Sequence, residues 1–242
     1  ATLDMPGFGY GINYDYGLFR QAIEGGQQRE YPEPWRLVGA AWQIERPERA
    51  CWVPVYGRAG RRSQGAAEWH DWRVIIGVPF DMPVVGWGAH TVNRLRLFSA
   101  RSPDEFDIEI FHRGDYLRAF ERKLSIERIS ALLYPSDSTE QGKELRLLQE
   151  YFFVACALRD ILSQYLQGRT DFDALPDKVA IQLNDTHPAL AIAEWIRLLV
   201  DEHRLPFDRA LELARGSFAY TNHTLLPEAL EHWPRPLLAR VV

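Results

Sequence analysis

The stretch from Lys178 to Thr224 constrains the fold most. "KVAIQL" reads as a strand. "PALAIAEWIRLLVDEH" reads as a helix with proline in its first turn, and "FDRALELARG" as a second helix ended by Gly216. "SFAYTNHT" then reads as a second short strand. Strands joined by helices of this length run parallel, because an antiparallel return needs only a tight turn. The class expected is therefore α/β. Both strands run out into polar residues: Asn184, Asp185, Thr186 and His187 after the first, and Asn222, His223 and Thr224 after the second. In an open α/β sheet, ligands gather at the carboxyl ends of strands, beside helix N-termini. These side chains offer donors, acceptors, one carboxylate and two imidazoles, a set that suits a neutral polyol such as a sugar. A plainer reading stays open beside it: Asp185 and Thr186 are also the residue types that cap a helix opening at Pro188.

The rest of the chain fits a mixed domain. "CWVPVYGR" (51–58), "WRVIIGVPF" (72–80) and "TVNRLRLFSA" (91–100) read as strands, with turn residues in "DMPVVGWG" between the last two. This predicts an antiparallel excursion near residues 50–100. In its last strand the alternation, with one slip, sets Val92, Leu95 and Leu97 against Asn93, Arg94 and Arg96. "GDYLRAFERKL" and "SIERISALL" have helical character, and "YPSDSTEQG" (134–142) is a polar break. "KELRLLQEYFFVACALRDILSQYL" (143–166) is the longest helix. Leu145, Leu148, Phe152, Ala155, Leu158, Leu162 and Leu166 keep its three-to-four spacing, and Phe153, Val154 and Ile161 widen the apolar face, which predicts a buried central helix. Gly7, Gly9, Gly11 and Gly17 punctuate an aromatic-rich start and predict tight turns and close backbone approach.

Several function classes are disfavoured. A net charge of -5 and a pI of about 5.8 argue against a nucleic-acid or anionic-membrane partner, since neither is drawn to a mildly acidic surface. Cys51 and Cys156 form no disulfide framework or zinc spacing, so a reducing compartment, the cytoplasm, is expected. There is no apolar run of about 18 residues and no signal-peptide pattern. Asp185, His187 and His223 lack compact metal-ligand spacing. A Gly-x-Ser-x-Gly elbow is missing, and "GRRSQG" (60–65) does not substitute for one. "GFGYG" is not a dinucleotide loop leading into a helix. The 242 residues begin at Ala1 with text that reads as mid-domain, so a piece of a longer protein is expected.

At the two polar loops the chain resembles the α-glucan (glycogen, starch and maltodextrin) phosphorylases. The resemblance is carried by "GYGINYDYGLFRQ", "VYGR", "VNRLRLFSA", "LYPSD", "GKELRLLQEYFFVACALRDI", "LPDKVAIQLNDTHPALAIAEWIRLLVDE" and "AYTNHTLLPEALEHWP", in that order along the chain. It implies a Rossmann-like half of a two-domain glycosyltransferase of the GT-B type, with residues 1–242 forming part of the N-terminal domain. It implies phosphorolysis of terminal α-1,4-glucosyl units to glucose 1-phosphate by the full-length enzyme. The competing reading is an isolated oligosaccharide-binding or inactive truncated module. Position by position, the resemblance makes His223 and Asp185 the catalytic pair. It makes His187, Asn222, Thr224 and Glu231 substrate-binding, and it puts Asp137 and Ser138 on a mobile gate loop. Thr139 stands where an aromatic is common in the animal enzymes. Ser163 and Gln164 stand where those enzymes carry paired arginines for a nucleotide activator, which implies an enzyme of bacterial type without that activation. The partners implied are α-1,4-glucan and inorganic phosphate, with homodimerisation at full length. The family's cofactor is pyridoxal 5'-phosphate. The resemblance puts its lysine in the other half and the phosphate-binding glycine loop upstream of Ala1. Only Lys123, Lys143 and Lys178 are present, among 28 basic residues, and none has that glycine-rich setting.

Overall fold

The computed structural model describes residues 1–17, 19–38, 41–61, 67–88, 90–103, 123–133 and 135–242. They divide into two compact units, Ala1–Gln149 and Glu150–Val242.

The first unit is built on a five-stranded mixed sheet. Its members are β1 (Phe8–Ile12), β4 (Ile44–Glu45), β5 (Cys51–Val55), β8 (Arg73–Val85) and β9 (Val92–Arg101). Two hairpins stand apart from it: β2 (Phe19–Glu24) with β3 (Gln27–Pro32), and β6 (Arg58–Arg61) with β7 (Ala67–His70). β8 and β9 pair antiparallel from Ile76↔Arg101 to Val85↔Val92, and β5 pairs antiparallel on the far side of β8. The antiparallel excursion read from residues 50–100 is therefore present. β1 then adds to β9 in parallel, Phe8 to Ile12 against Arg94 to Phe98. Two glycines make that approach possible. A Cβ on Gly9 would lie 2.8 Å from Leu95 Cδ1, and one on Gly11 would lie 3.0 Å from Leu97 Cδ2.

One expectation for this sheet needs correction. "DMPVV" is not a turn: Asp81–Val85 continue β8, and the chain reverses only after Gly86. Pro83 is tolerated because β4 and β5 leave β8 by Asp81, so among the described residues β8 there has a single neighbour, β9. Arg96 is buried in this sheet. It is 2% exposed, and its Nε and Nη2 each donate to the Asp81 carboxylate at 2.7 Å. Burial pushes the Asp81 carboxyl up, but that fork and the charges of Arg94 and Arg46 outweigh it and hold the carboxyl below its ordinary value.

The longest helix, α1 (Glu140–Tyr165), begins three residues before the predicted start. Thr139 explains the shift: its Oγ1 accepts the Gly142 N–H at 3.1 Å, a side-chain N-cap. Tyr151, Phe152, Val154, Ala155, Cys156, Ala157 and Leu158 are all buried, so the helix is enclosed on nearly every face, as its sequence predicts. The "GDYLRAFERKL" helix and "GRRSQG" lie mostly outside the described residues. "SIERISALL" is helical only to Glu127 and then tightens to a 3-10 turn at Arg128–Ser130.

The second unit carries the parallel pair that the sequence predicts. β10 (Ile181–Asn184) and β11 (Phe218–Thr221) pair in parallel from Ile181↔Phe218 to Asn184↔Thr221. α3 (Leu190–Arg197) and α4 (Phe207–Ser217) make the crossover, and α5 (Arg235–Val241) follows β11. Trp195 of α3 is fully buried, with its ring edge-on to Phe218 at 5.6 Å. α3 runs into a π segment, Leu198–Glu202. That spacing lets Arg197 reach Glu202, five residues on, at 3.1 Å while its Nε donates to the buried Glu194 at 2.7 Å. Two boundaries differ from expectation. "KVAIQL" starts late, because Leu175–Lys178 form a short helix, α2, opened by Pro176 and Asp177. Gly216 does not end α4, which runs on to Ser217. A Cβ there would sit 2.9 Å from Pro176 Cβ, so the glycine lets α4 pack against α2.

Candidate functional site

The second unit brings the two polar loops together at the carboxyl end of β10 and β11. Asp185 follows β10 directly and has a left-handed backbone, φ 59. Aspartate and asparagine tolerate that conformation better than other side-chain-bearing residues. From there Asp185 makes two bonds to the other strand's exit. Its N–H donates to Thr221 O at 2.8 Å, and its Oδ1 accepts the His223 N–H at 2.8 Å. Gln182 Nε2 adds a bond to Thr221 Oγ1 at 2.9 Å. Asn222 turns the next residue by accepting the Thr224 N–H at 3.0 Å. Thr186 Oγ1 donates to Ala229 O at 2.7 Å, tying the first loop to the chain just before Glu231.

These bonds overturn the capping reading. The residue before α3 is Ala189, with no side-chain cap, and the oxygens of Asp185 and Thr186 are spent on the neighbouring loop instead. Asp185, His187 and Glu231 are half-buried, while Asn222, His223 and Thr224 are exposed. The structure thus joins "NDTH" and "TNHT" into one polar edge open to solvent, with hydroxyl, amide, carboxylate and imidazole groups together. Such an edge can offer both donors and acceptors to a polyhydroxylated ligand.

Asp137 and Ser138 belong to the first unit, at the entrance to α1. Asp137 Oδ2 accepts from Arg146 Nη1 at 2.8 Å, and Ser138 Oγ lies 2.9 Å from Ser136 Oγ. A Cβ on Gly142 would collide with Ser136 O, so the loop folds back closely over the first turn of the helix. Sequence reasoning missed Arg146, Gln182 and the Thr186–Ala229 bond. Only Thr139, three residues ahead of Gly142, had a local signature, that of an N-cap.

The three lysines are all in open settings. Lys143 pairs with Glu140 at 3.0 Å, Lys123 lies 3.9 Å from Glu127, and Lys178 is exposed at the end of α2. Among the described residues no group of three or more His, Cys, Asp or Glu side chains is arranged to hold a metal ion, and no helix is long and apolar enough to cross a membrane.

Comparison with known proteins places the sequence among phosphorylases. The family model of the carbohydrate phosphorylases covers residues 1–242. The chain is 48% identical over 246 residues to the muscle form of glycogen phosphorylase from Ovis aries, covering 98% of this chain and 29% of that protein. It is 46% identical over 250 residues to the human liver form, covering 100% of this chain and 29% of that protein. The muscle form from Oryctolagus cuniculus is likewise 48% identical over 246 residues. The chain therefore spans about 29% of the length of these relatives. A match that runs from the first residue to the last, through both polar loops, means that the chain belongs to the carbohydrate phosphorylase family.

Proposed function

We propose that the chain is part of the N-terminal, Rossmann-like half of a GT-B glycosyltransferase, and that the full-length protein is an α-glucan phosphorylase. It would move the terminal α-1,4-glucosyl unit of glycogen or maltodextrin onto inorganic phosphate. The bond from C1 to the glycosidic oxygen breaks, a bond from C1 to a phosphate oxygen forms, and the leaving oxygen takes a proton. The products are glucose 1-phosphate and a glucan shorter by one unit.

The single observation that carries this reading is the linked pair of strand-end loops. The exposed His223 would face the glucosyl unit, with Asp185 beside it. His187, Asn222, Thr224 and Glu231 would meet sugar hydroxyls as donors and acceptors. Asp137 and Ser138 would belong to a mobile gate loop that controls substrate access, released when the Asp137–Arg146 pair opens. The family names pyridoxal 5'-phosphate as cofactor, but the lysines here do not fit a covalently held aldehyde. Each is solvent-facing or beside a glutamate, and none is enclosed. Its lysine is therefore assigned to the remainder of the full-length protein. A cytoplasmic homodimer at full length is part of the same reading.

The test is phosphorolysis of maltoheptaose by the full-length protein. Wild type should release glucose 1-phosphate, and His223→Ala should lower kcat/KM about a hundredfold or more. The 242-residue chain alone should release none. A full-length wild type that forms no glucose 1-phosphate overturns the reading.

A further inference from the structure

We infer that Asp185 serves the reaction as a positioning residue, needed as a hydrogen-bond acceptor on a left-handed backbone and not as a negative charge. The inference rests on the proposed placement of His223 against the sugar.

Its basis is a clamp. The backbone N–H of Asp185 holds Thr221 O, and its side-chain Oδ1 holds His223 N–H, both at 2.8 Å. The two bonds bracket Asn222, so a single residue grips the backbone on either side of it, at Thr221 and at His223. The clamp works only because Asp185 has φ 59, which turns its carboxylate away from α3 and toward β11. No arginine or lysine is bonded to this carboxylate among the described residues; its partner is a neutral amide. The clamp holds the backbone from which the His223 imidazole projects. A loop displaced by about 1 Å costs on the order of a hundredfold in rate when the group it carries must meet a reacting centre.

Two properties are therefore required, an acceptor oxygen and tolerance of a left-handed backbone. Asparagine has both. Glycine has the backbone tolerance alone, and alanine has neither. A residue that worked through its charge, as a general acid or base, would instead lose function equally in all three variants.

The experiment uses the full-length protein, with maltoheptaose and inorganic phosphate as substrates. kcat and KM are measured for Asp185→Asn, Asp185→Gly and Asp185→Ala, together with amide hydrogen exchange in a peptide spanning residues 220–226. Asp185→Asn should keep kcat within about fivefold of wild type, since its Oδ1 is a weaker acceptor in the same place. It should also keep slow exchange. Asp185→Gly should lose about ten- to a hundredfold in kcat, more than it changes KM, and should exchange faster at His223. Asp185→Ala should be at least as impaired as glycine. If Asp185→Asn is as inactive as Asp185→Gly while its exchange stays slow, the charge matters and the inference falls. If exchange is the same in all three variants, the clamp itself is wrong. A wild type without phosphorolysis sinks the functional reading alone, and the exchange comparison then judges the clamp.

Discussion

Asp81 in the first unit and Asp185 in the second are both aspartates of a sheet, and the two sheets use them in opposite ways. Asp81 is 6% exposed inside β8 and takes both arms of the Arg96 fork from β9. Asp185 is half-buried just past the end of β10 and takes a backbone N–H from across the β10–β11 pair. The first is a charge held by a two-armed guanidinium fork where little water reaches, so breaking the fork leaves a buried charge poorly compensated. The second is a shaped acceptor at an open edge, where little charge is desolvated. Stability should hang on the first, and the geometry of the polar edge on the second.

The largest expected effect breaks the buried pair. Arg96→Ala should lower the unfolding free energy of the full-length protein by roughly 3 kcal/mol, because the buried Asp81 loses both arms of the fork and keeps only the looser pair with Arg46 at 3.5 Å. Urea unfolding followed by fluorescence measures it. A cost under about 1 kcal/mol would place the pair among ordinary surface ion pairs.

A packing change comes next. Gly216→Val puts a branched side chain where a Cβ alone comes within 2.9 Å of Pro176. The same unfolding measurement should show a loss of about 1–3 kcal/mol, and no loss would mean that α2 and α4 separate easily. Thr139→Ala removes the N-cap of α1 and should cost about 1 kcal/mol.

The pH dependence sharpens the contrast further. The carboxyl of Asp81 is held below its ordinary value, so the stability it contributes is fully present above about pH 4. That contribution is lost as pH falls through the lowered folded value. Glu202 acts with the same sign: burial pushes its carboxyl up, and the hydrogen bonds and charges of Arg159 and Arg197 outweigh that and hold it low. Urea midpoints should therefore fall on going from pH 5 to pH 3, and fall less in Arg96→Ala. The smallest effect belongs to Asp185→Asn, which should shift stability by under about 0.5 kcal/mol. A shift of several kcal/mol would put Asp185 in the same class as Asp81.

The parallel pair with its helical crossover, the antiparallel strands between Cys51 and Arg101 and the enclosed α1 were all legible, because each is written in a periodicity that runs over many residues. Short decisions were not. The start of "KVAIQL" and the fate of "DMPVV" turn on a few residues, too few for periodicity to decide, and neighbouring elements decided them: α2 in one case, the lone pairing with β9 in the other. The alternation in "VNRLRLFSA" marked Arg96 as polar but could not name Asp81 as its buried partner on another strand. The site was legible as residue types at two strand ends. Its wiring was not, since Asp185 bonds to a residue 38 positions away and Thr186 to one 43 away. Local sequence offered a nearer use for both, the start of α3, and tertiary structure overrode it.

The central claim is that "NDTH" and "TNHT" form one wall of a sugar site. Amide hydrogen exchange of the full-length protein, with and without saturating maltoheptaose, tests it most directly. The account predicts slower exchange in residues 182–188 and 220–226 together when the glucan is bound, and loss of that slowing in His223→Ala. Slowing confined to other parts of the protein, with both loops unchanged, would contradict it.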